Sequence, residues 1–262
     1  MSSNQIILYD LPRKAPNTTW TLNAWKGNRI ARFSHGVNRT NCSQADFSST
    51  LRVLITAWNG FLEYPQMKPT FAPHVPANAE GWPYTVPTVQ LPDGTFIMDS
   101  SNIAAALEQA HPLPSLRLTS PALPSITALT AAALNAVLPN LADHIPKHVL
   151  NQASVPHWYA TREAVIGKPL HQFERENGGP KAYDAAADTL AQVTALLKQS
   201  TDGPFFDGRD VGFADFVWVG FLEFLRRIGG DSYEEVMKRM GERGVHERLL
   251  EACKPWMERD AE

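Results

Sequence analysis

Three short groups of residues could do chemistry. Trp20-Thr21-Leu22-Asn23 follows a first apolar run and offers a hydroxyl and a side-chain amide in the kind of loop where ligands are met; the plainer role for Thr21 is to cap a helix. Val86-Pro87 stands directly before Thr88-Val89-Gln90-Leu91. A proline there is commonly an edge residue, but a cis bond would turn the Val86 backbone outward, with its N–H and C=O available to an extended peptide. Asp99-Ser100-Ser101 opens a helix over Asn102 to Gln109. Such a start is an N-cap contributing about 1 kcal/mol, and its N–H groups and hydroxyl also suit a carboxylate.

Other candidates carry less. His144 and His148 stand four apart beside Asp143, a spacing that could set two metal ligands on one helix face. Pro146 disturbs that helix and no third ligand is evident, so no metal is expected. Asp215, in Val211-Gly212-Phe213-Ala214-Asp215, reads as the acidic partner of a helix start. There is no phosphate-binding G-x-x-x-x-G-K-[ST] loop, G-x-G-x-x-G, G-x-S-x-G or H-E-x-x-H.

The elements that must hold these groups fall into two halves. Ile6 to Tyr9, Phe61 to Tyr64, Thr88 to Leu91 and Thr95 to Met98 read as strands mixed with helical stretches, with Pro92-Asp93-Gly94 as the turn of a hairpin. Pro112, Pro114, Pro121 and Pro124 then mark a linker over 111–124. After it, Ile126 to Ile145, Lys181 to Lys198, Phe213 to Ile228 and Val245 to Met257 carry apolar residues at helical spacing. The expected architecture is an α/β unit over 1–110 and an all-α helical unit over 125–262. Between them in character, residues 27–60 are atypical and read as an insertion: Trp20 to Phe33 fits a helix interrupted by Gly27, Ser34 to Ser49 is polar, and Thr50 to Trp58 fits a helix or a strand.

Composition narrows the partners. The chain has 262 residues, 24 Lys+Arg against 27 Asp+Glu, a net charge of −3, and no long basic block, which argues against nucleic acid as a partner. Cys42 and Cys253 are the only cysteines, so neither a disulfide scaffold nor a cysteine-rich zinc site is expected. The most apolar stretch, Phe213 to Ile228, contains Asp215, Glu223, Arg226 and Arg227 and reads as a buried helix, not a membrane span. With no basic leader before Ile6, a cytoplasmic location is the expectation.

Taken in order, these features resemble the glutathione S-transferases: a strand, a Trp-Thr-x-Asn loop, x-Val-Pro at a strand start, a hairpin, Asp-Ser at a helix start, a proline-rich linker and a helical half with Ala-Asp-Phe before its apolar helix. Leu8-Tyr9-Asp10-Leu11-Pro12, Trp20 to Lys26, Leu62-Glu63-Tyr64-Pro65 and Tyr84-Thr85-Val86-Pro87 are similar to the fungal etherase-like class, which is related to bacterial β-etherases. The resemblance implies a thioredoxin-like N-terminal domain that binds glutathione as co-substrate and a helical C-terminal domain that shapes the acceptor site, in a homodimer. Thr21 falls where that class has a catalytic serine that holds the thiolate, and Asn23 is a second donor in the same loop. Val86, before a cis Pro87, would pair with the cysteinyl backbone; Asp99 and Ser100 would take the γ-glutamyl end. Trp20, Trp158, Tyr159 and Phe173 would line a pocket for a small aromatic electrophile.

The function implied is thiolate attack by glutathione on such an electrophile, by conjugation or ether cleavage, in detoxification or secondary metabolism. The alternative is a non-catalytic glutathione- or ligand-binding module on the same fold. Threonine in place of serine at position 21 and the unusual residues 27–60 both touch the thiol end of the site, where the two readings part.

Overall fold

Ile6 to Tyr9 is apolar and short, and strand β1 (Ile7–Asp10) forms from it with alternating burial, as a strand with one face on a core must. The computed structural model describes residues 6–14, 20–22 and 57–257. Strand β2 (Ala57–Phe61) lies parallel to β1, β3 (Thr88–Gln90) antiparallel to β1, and β4 (Phe96–Met98) antiparallel to β3, giving the order β2-β1-β3-β4. The expected hairpin is present: the Leu91 N–H donates to Thr95 O at 2.8 Å, and Gly94 at φ +88° takes the left-handed turn position.

The strand expected over Phe61 to Tyr64 ends at Phe61. Tyr64 instead opens helix α1 (Tyr64–Phe71), where Pro65 costs no hydrogen bond in the first turn and the Glu63 N–H is bonded to Gln66 Oε1 at 2.7 Å. Helix α2 (Ser100–Ala110) follows β4, and no helix or strand is formed between Ala110 and Ala122.

From Ala122 onward the elements are helical: α3 (Ala122–Leu141), α4 (His144–His148), α5 (Val155–Ile166), α6 (Leu170–Asn177), α7 (Pro180–Ala185), α8 (Ala187–Gln199), α9 (Phe213–Ile228), α10 (Ser232–Arg239), α11 (Arg243–Cys253) and a short 3-10 turn (Lys254–Trp256). Helix α3 is long and apolar enough to cross a membrane by length and composition, which the Phe213 to Ile228 reading passed over. It packs along α9, with Ile126, Ala133, Val137 and Leu141 fully buried. Nearly every residue of α9 is buried, so this helix is the axis of the core.

Its start is fixed by Asp215, whose Oδ2 accepts the Gly212 N–H at 2.7 Å and whose Oδ1 accepts the Phe206 N–H at 2.9 Å. Gly229 at φ +77° and Gly230 at φ +71° end it. His246 of α11 lies inside the same bundle, between the Trp218 indole N–H on Nδ1 at 3.0 Å and Thr194 Oγ1 on Nε2 at 2.8 Å.

The two halves are joined by backbone. Arg13 and Leu150 form an isolated antiparallel bridge, the Lys14 N–H donates to Val149 O at 2.8 Å, and Arg13 Nη1 donates to Arg227 O at 2.8 Å. Around α1, the Tyr64 N–H donates to Ser154 Oγ at 2.9 Å, while the Glu63 carboxylate accepts from Ser154 Oγ and from Asn151 Nδ2.

Candidate functional site

Sheet register gathers the candidate residues at one end. Tyr9 is paired with Thr88 across β1 and β3, and Thr88 with Met98 across β3 and β4. One residue further along each strand come Asp10, Pro87 and Asp99, side by side, and the Asp99 N–H donates to Pro87 O at 3.2 Å. With neighbouring strands about 4.8 Å apart, Asp10 and Asp99 are about 10 Å from each other.

At one end of this row stands Thr21. It is 8% exposed, and its Oγ1 donates to Asp10 Oδ1 at 2.8 Å; the same oxygen accepts the Leu11 N–H at 2.7 Å. Leu22 is already helical, so Thr21 also occupies the position directly before a helix. Asp10, 1% exposed, is the site residue that the sequence reading did not single out. The only signal was a carboxylate at the end of an apolar strand.

In the middle of the row, the Val86-Pro87 bond is cis and both residues are buried. Among the described residues neither the N–H nor the C=O of Val86 has a backbone partner. At the far end, Asp99 is exposed and caps α2, its Oδ1 accepting the Ser101 N–H at 2.8 Å, while Ser100 is 7% exposed at the first helical position. Asp99 has φ +81°, a conformation that L residues rarely adopt.

Of the four aromatic candidates, Trp20 and Trp158 belong to the buried core and Tyr159 and Phe173 pack against it. Trp20 is 2% exposed and packs against Phe224 of α9, ring centroids 6.3 Å apart; among the described residues its Nε1 has no hydrogen-bond partner. Trp158 is buried, donates from Nε1 to Ala142 O at 2.8 Å, and lies under the Arg162 guanidinium at 4.0 Å. That guanidinium also covers Trp82 at 4.3 Å and Tyr64 at 4.8 Å, so one cation fastens the 72–86 loop and α1 to α5. Tyr159 donates its hydroxyl to the buried Asp143 at 2.8 Å, and burial together with that carboxylate pushes the phenol up to about 12. Phe173 is half-buried against the core. No ring contact among the described residues joins Trp20 to Trp158, Tyr159 or Phe173.

Asn23 lies outside the described residues, as do 27–56 and Cys42. His144 and His148 lie with ring centroids 4.5 Å apart, but His144 Nε2 meets Ile228 O at 2.9 Å. Among the described residues no group of three or more His, Cys, Asp or Glu could hold a metal ion.

A four-stranded sheet whose first strand is followed by Thr21 and whose third is preceded by a cis proline, joined to a helical half built on a buried axial helix, defines the class. A family model described as the glutathione S-transferase C-terminal domain matches residues 126–256. The chain belongs to the glutathione S-transferase family, and its fold is a thioredoxin-like N-terminal domain with an all-α C-terminal domain. It is 28% identical over 225 residues to the glutathione S-transferase-like protein ustS of Aspergillus flavus, covering 77% of this chain and 79% of that one. The crystal structure of glutathione transferase GSTFuA3 from Phanerochaete chrysosporium is similar with a TM-score of 0.73 and 23% identity, covering 99% of this chain and 100% of that one. That of CsGST63524 from Ceriporiopsis subvermispora, in complex with glutathione, has the same score and identity and covers 96% and 97%.

Proposed function

We propose that this chain is a glutathione transferase of the fungal etherase-like class, binding glutathione along the sheet end from Thr21 past Val86 to Ser100. One observation carries the reading: strand register alone aligns Asp10 with its Thr21 partner, Pro87 and Asp99 in a row about 10 Å long. A tripeptide fully extended spans about 10 Å with its cysteinyl residue in the middle, so a γ-glutamyl end at Ser100 sets the cysteinyl residue beside Val86, with its thiol side chain directed toward Thr21. The buried Ser100 hydroxyl and the α2 start take the γ-glutamyl carboxylate, Asp99 takes its ammonium, and the Val86 backbone takes the cysteinyl residue.

The sulfur then lies toward Thr21, with Asn23, two positions further along the sequence, as a second donor, while Trp20 packs against Phe224 of α9 beside them. Attack forms a carbon–sulfur bond on a small aromatic electrophile; in ether cleavage the aryloxide leaves and takes up a proton. Trp158, Tyr159 and Phe173 bound the acceptor side from the helical half. The chemistry suits a reducing compartment such as the cytoplasm, where glutathione is kept as the thiol, and steps of detoxification or secondary metabolism in which reactive small molecules are consumed. A homodimer is part of the proposal; a sedimentation measurement tests it.

A second reading, a non-catalytic glutathione-binding module, is favoured by the hydrogen bond that gives the Thr21 proton to Asp10, since a hydroxyl has one proton to give. Titration calorimetry with glutathione, then turnover on a panel of aryl ethers, quinones and epoxides, separates the two. Binding with turnover supports the enzyme; binding with none across the panel supports the module; no binding overturns both.

A further inference from the structure

Thr21 and Asp10 are a hydroxyl and a carboxylate placed in series, and resting on the glutathione reading above, that arrangement has a consequence for the proton of the thiol. Thr21 donates its proton to Asp10 Oδ1 at 2.8 Å. Toward any other group the same hydroxyl can therefore only accept. Asp10 is 1% exposed at the end of β1, held by the Leu11 N–H on the same oxygen, so the carboxylate does not reach the ligand space itself.

We infer that Thr21 relays the proton of bound glutathione to Asp10, which makes Asp10 the positioning residue and proton store of the site. The thiol donates S–H to Thr21 Oγ1 as Thr21 passes its own proton to Asp10 Oδ1. The S–H bond and the old Thr21 O–H bond break, and a new Thr21 O–H bond and an Asp10 O–H bond form. The product is a thiolate that accepts a hydrogen bond from Thr21, beside a neutral Asp10. The net charge of the site is unchanged and nothing is passed to solvent.

The titratable group that α1 sets against Asp10 is Tyr64, with the Arg162 guanidinium behind it, Nη2 to the phenol oxygen at 3.4 Å. Burial pushes the Tyr64 phenol up to about 12, so near neutral pH it neither supplies nor accepts the proton in question. Thr21 lies in the loop that follows β1, and its oxygen is the shared atom of the chain from sulfur to carboxylate.

Proton counting tests this on the wild-type protein. Near pH 7 free glutathione is mostly protonated, its thiol having an ordinary pKa of about 8.5, so a bound thiolate must have placed its proton somewhere. Calorimetry in buffers of different ionisation enthalpy gives the protons released on binding, and ultraviolet absorbance gives the thiolate formed. The relay requires thiolate with essentially no proton release. Release of one proton per thiolate overturns it, and so does a bound thiol that stays protonated; no binding at all overturns the glutathione reading instead.

Asp10→Asn keeps an acceptor for Thr21 and Leu11 but cannot store a proton. In that variant, thiolate should appear only with release of one proton, and at higher pH than in wild type. Thr21→Val should do the same, and the double variant should add nothing. A thiolate titration in Asp10→Asn identical to wild type overturns the relay. If Asp10→Asn does not fold, the wild-type proton count still decides.

Discussion

The backbone N–H of Asp99 donates to the carbonyl of Pro87 at 3.2 Å, tying the start of α2 to the start of β3. This bond holds Asp99 at φ +81°, where a side chain is strained and glycine is not. Asp99→Gly should therefore leave stability within about 1 kcal/mol of wild type, since glycine is nearly as good an N-cap. Its glutathione affinity should fall by about 10- to 150-fold, the cost of one charge-assisted hydrogen bond. Chemical denaturation and calorimetry on the same sample check both. An affinity unchanged in Asp99→Gly would place the ammonium elsewhere.

Ser100→Ala tests the other group of that end. The hydroxyl is buried at the helix start, and replacing it removes a donor to the γ-glutamyl carboxylate, worth roughly 1.5–3 kcal/mol. A tenfold or greater rise in the glutathione dissociation constant is expected, with thermal stability little changed.

Trp20 carries a buried indole N–H without a partner among the described residues. Leaving such a group unmade costs about 1–3 kcal/mol, which Trp20→Phe removes while opening a small cavity against Phe224. The two effects oppose, and a net stability change below about 1.5 kcal/mol is expected from urea unfolding. A larger loss would mean that the indole N–H is bonded in solution.

Arg162 is sandwiched by three rings. Its replacement by Met keeps the aliphatic length and removes the cation; with each of the three contacts contributing about 0.5–1 kcal/mol, a loss of roughly 1.5–3 kcal/mol is expected. Limited proteolysis should show faster cutting within 72–86, the loop that Trp82 anchors. Equal cutting rates would show that the cation is not what fastens it.

Asp215 and His246 give opposite pH slopes over one window. Burial raises the Asp215 carboxyl from 3.8 to about 7, so it contributes stability that is lost as pH rises from about 4 to about 7. Burial lowers His246 from 6.5 to about 4, so its contribution is lost as pH falls from about 6.5 to about 4. Relative to wild type, the penalty of Asp215→Asn should shrink as pH rises through this range, and that of His246→Asn should grow. Melting temperatures of the three proteins between pH 4 and 7 show the crossing, and parallel curves would contradict it.

Periodicity made the hairpin of β3 and β4 and the axial helix α9 legible, because Pro92-Asp93-Gly94 is a strong local turn and the Phe213 to Ile228 run has one clear start and end. It misjudged Tyr64, since Phe61-Leu62-Glu63-Tyr64 looks like a strand until Pro65 is read as a first-turn helix residue. Helices α5 and α6 lie outside the expected set, because polar and apolar residues are mixed around α5, and α6 is a short, mostly polar helix with Leu170 as its buried residue. Val86, Asp99 and Ser100, proposed above as glutathione contacts, can be marked from their neighbours in sequence. Asp10 could not, because its importance lies in a hydrogen bond to a residue eleven positions away and in register with Pro87. The bond of Tyr159 to Asp143 likewise joins a residue of α5 to the N-cap of α4, whereas Arg162 over Trp158 is an i, i+4 pair that follows once α5 is known to be a helix.

The bridge between Arg13 and Leu150 means that the junction between sheet and helices is not a seam. Lys14 spends its backbone N–H on Val149, Arg13 its guanidinium on the Arg227 carbonyl, and Tyr64 its backbone N–H on Ser154. A helical half transplanted onto a different thioredoxin-like half would leave those donors and acceptors unmatched unless the α4–α5 corner moved with it. Recombination among relatives is therefore constrained to exchange the Arg13-Lys14 segment and residues 147–154 together, and specificity can diverge more freely on α6 and α7, which carry none of these crossings.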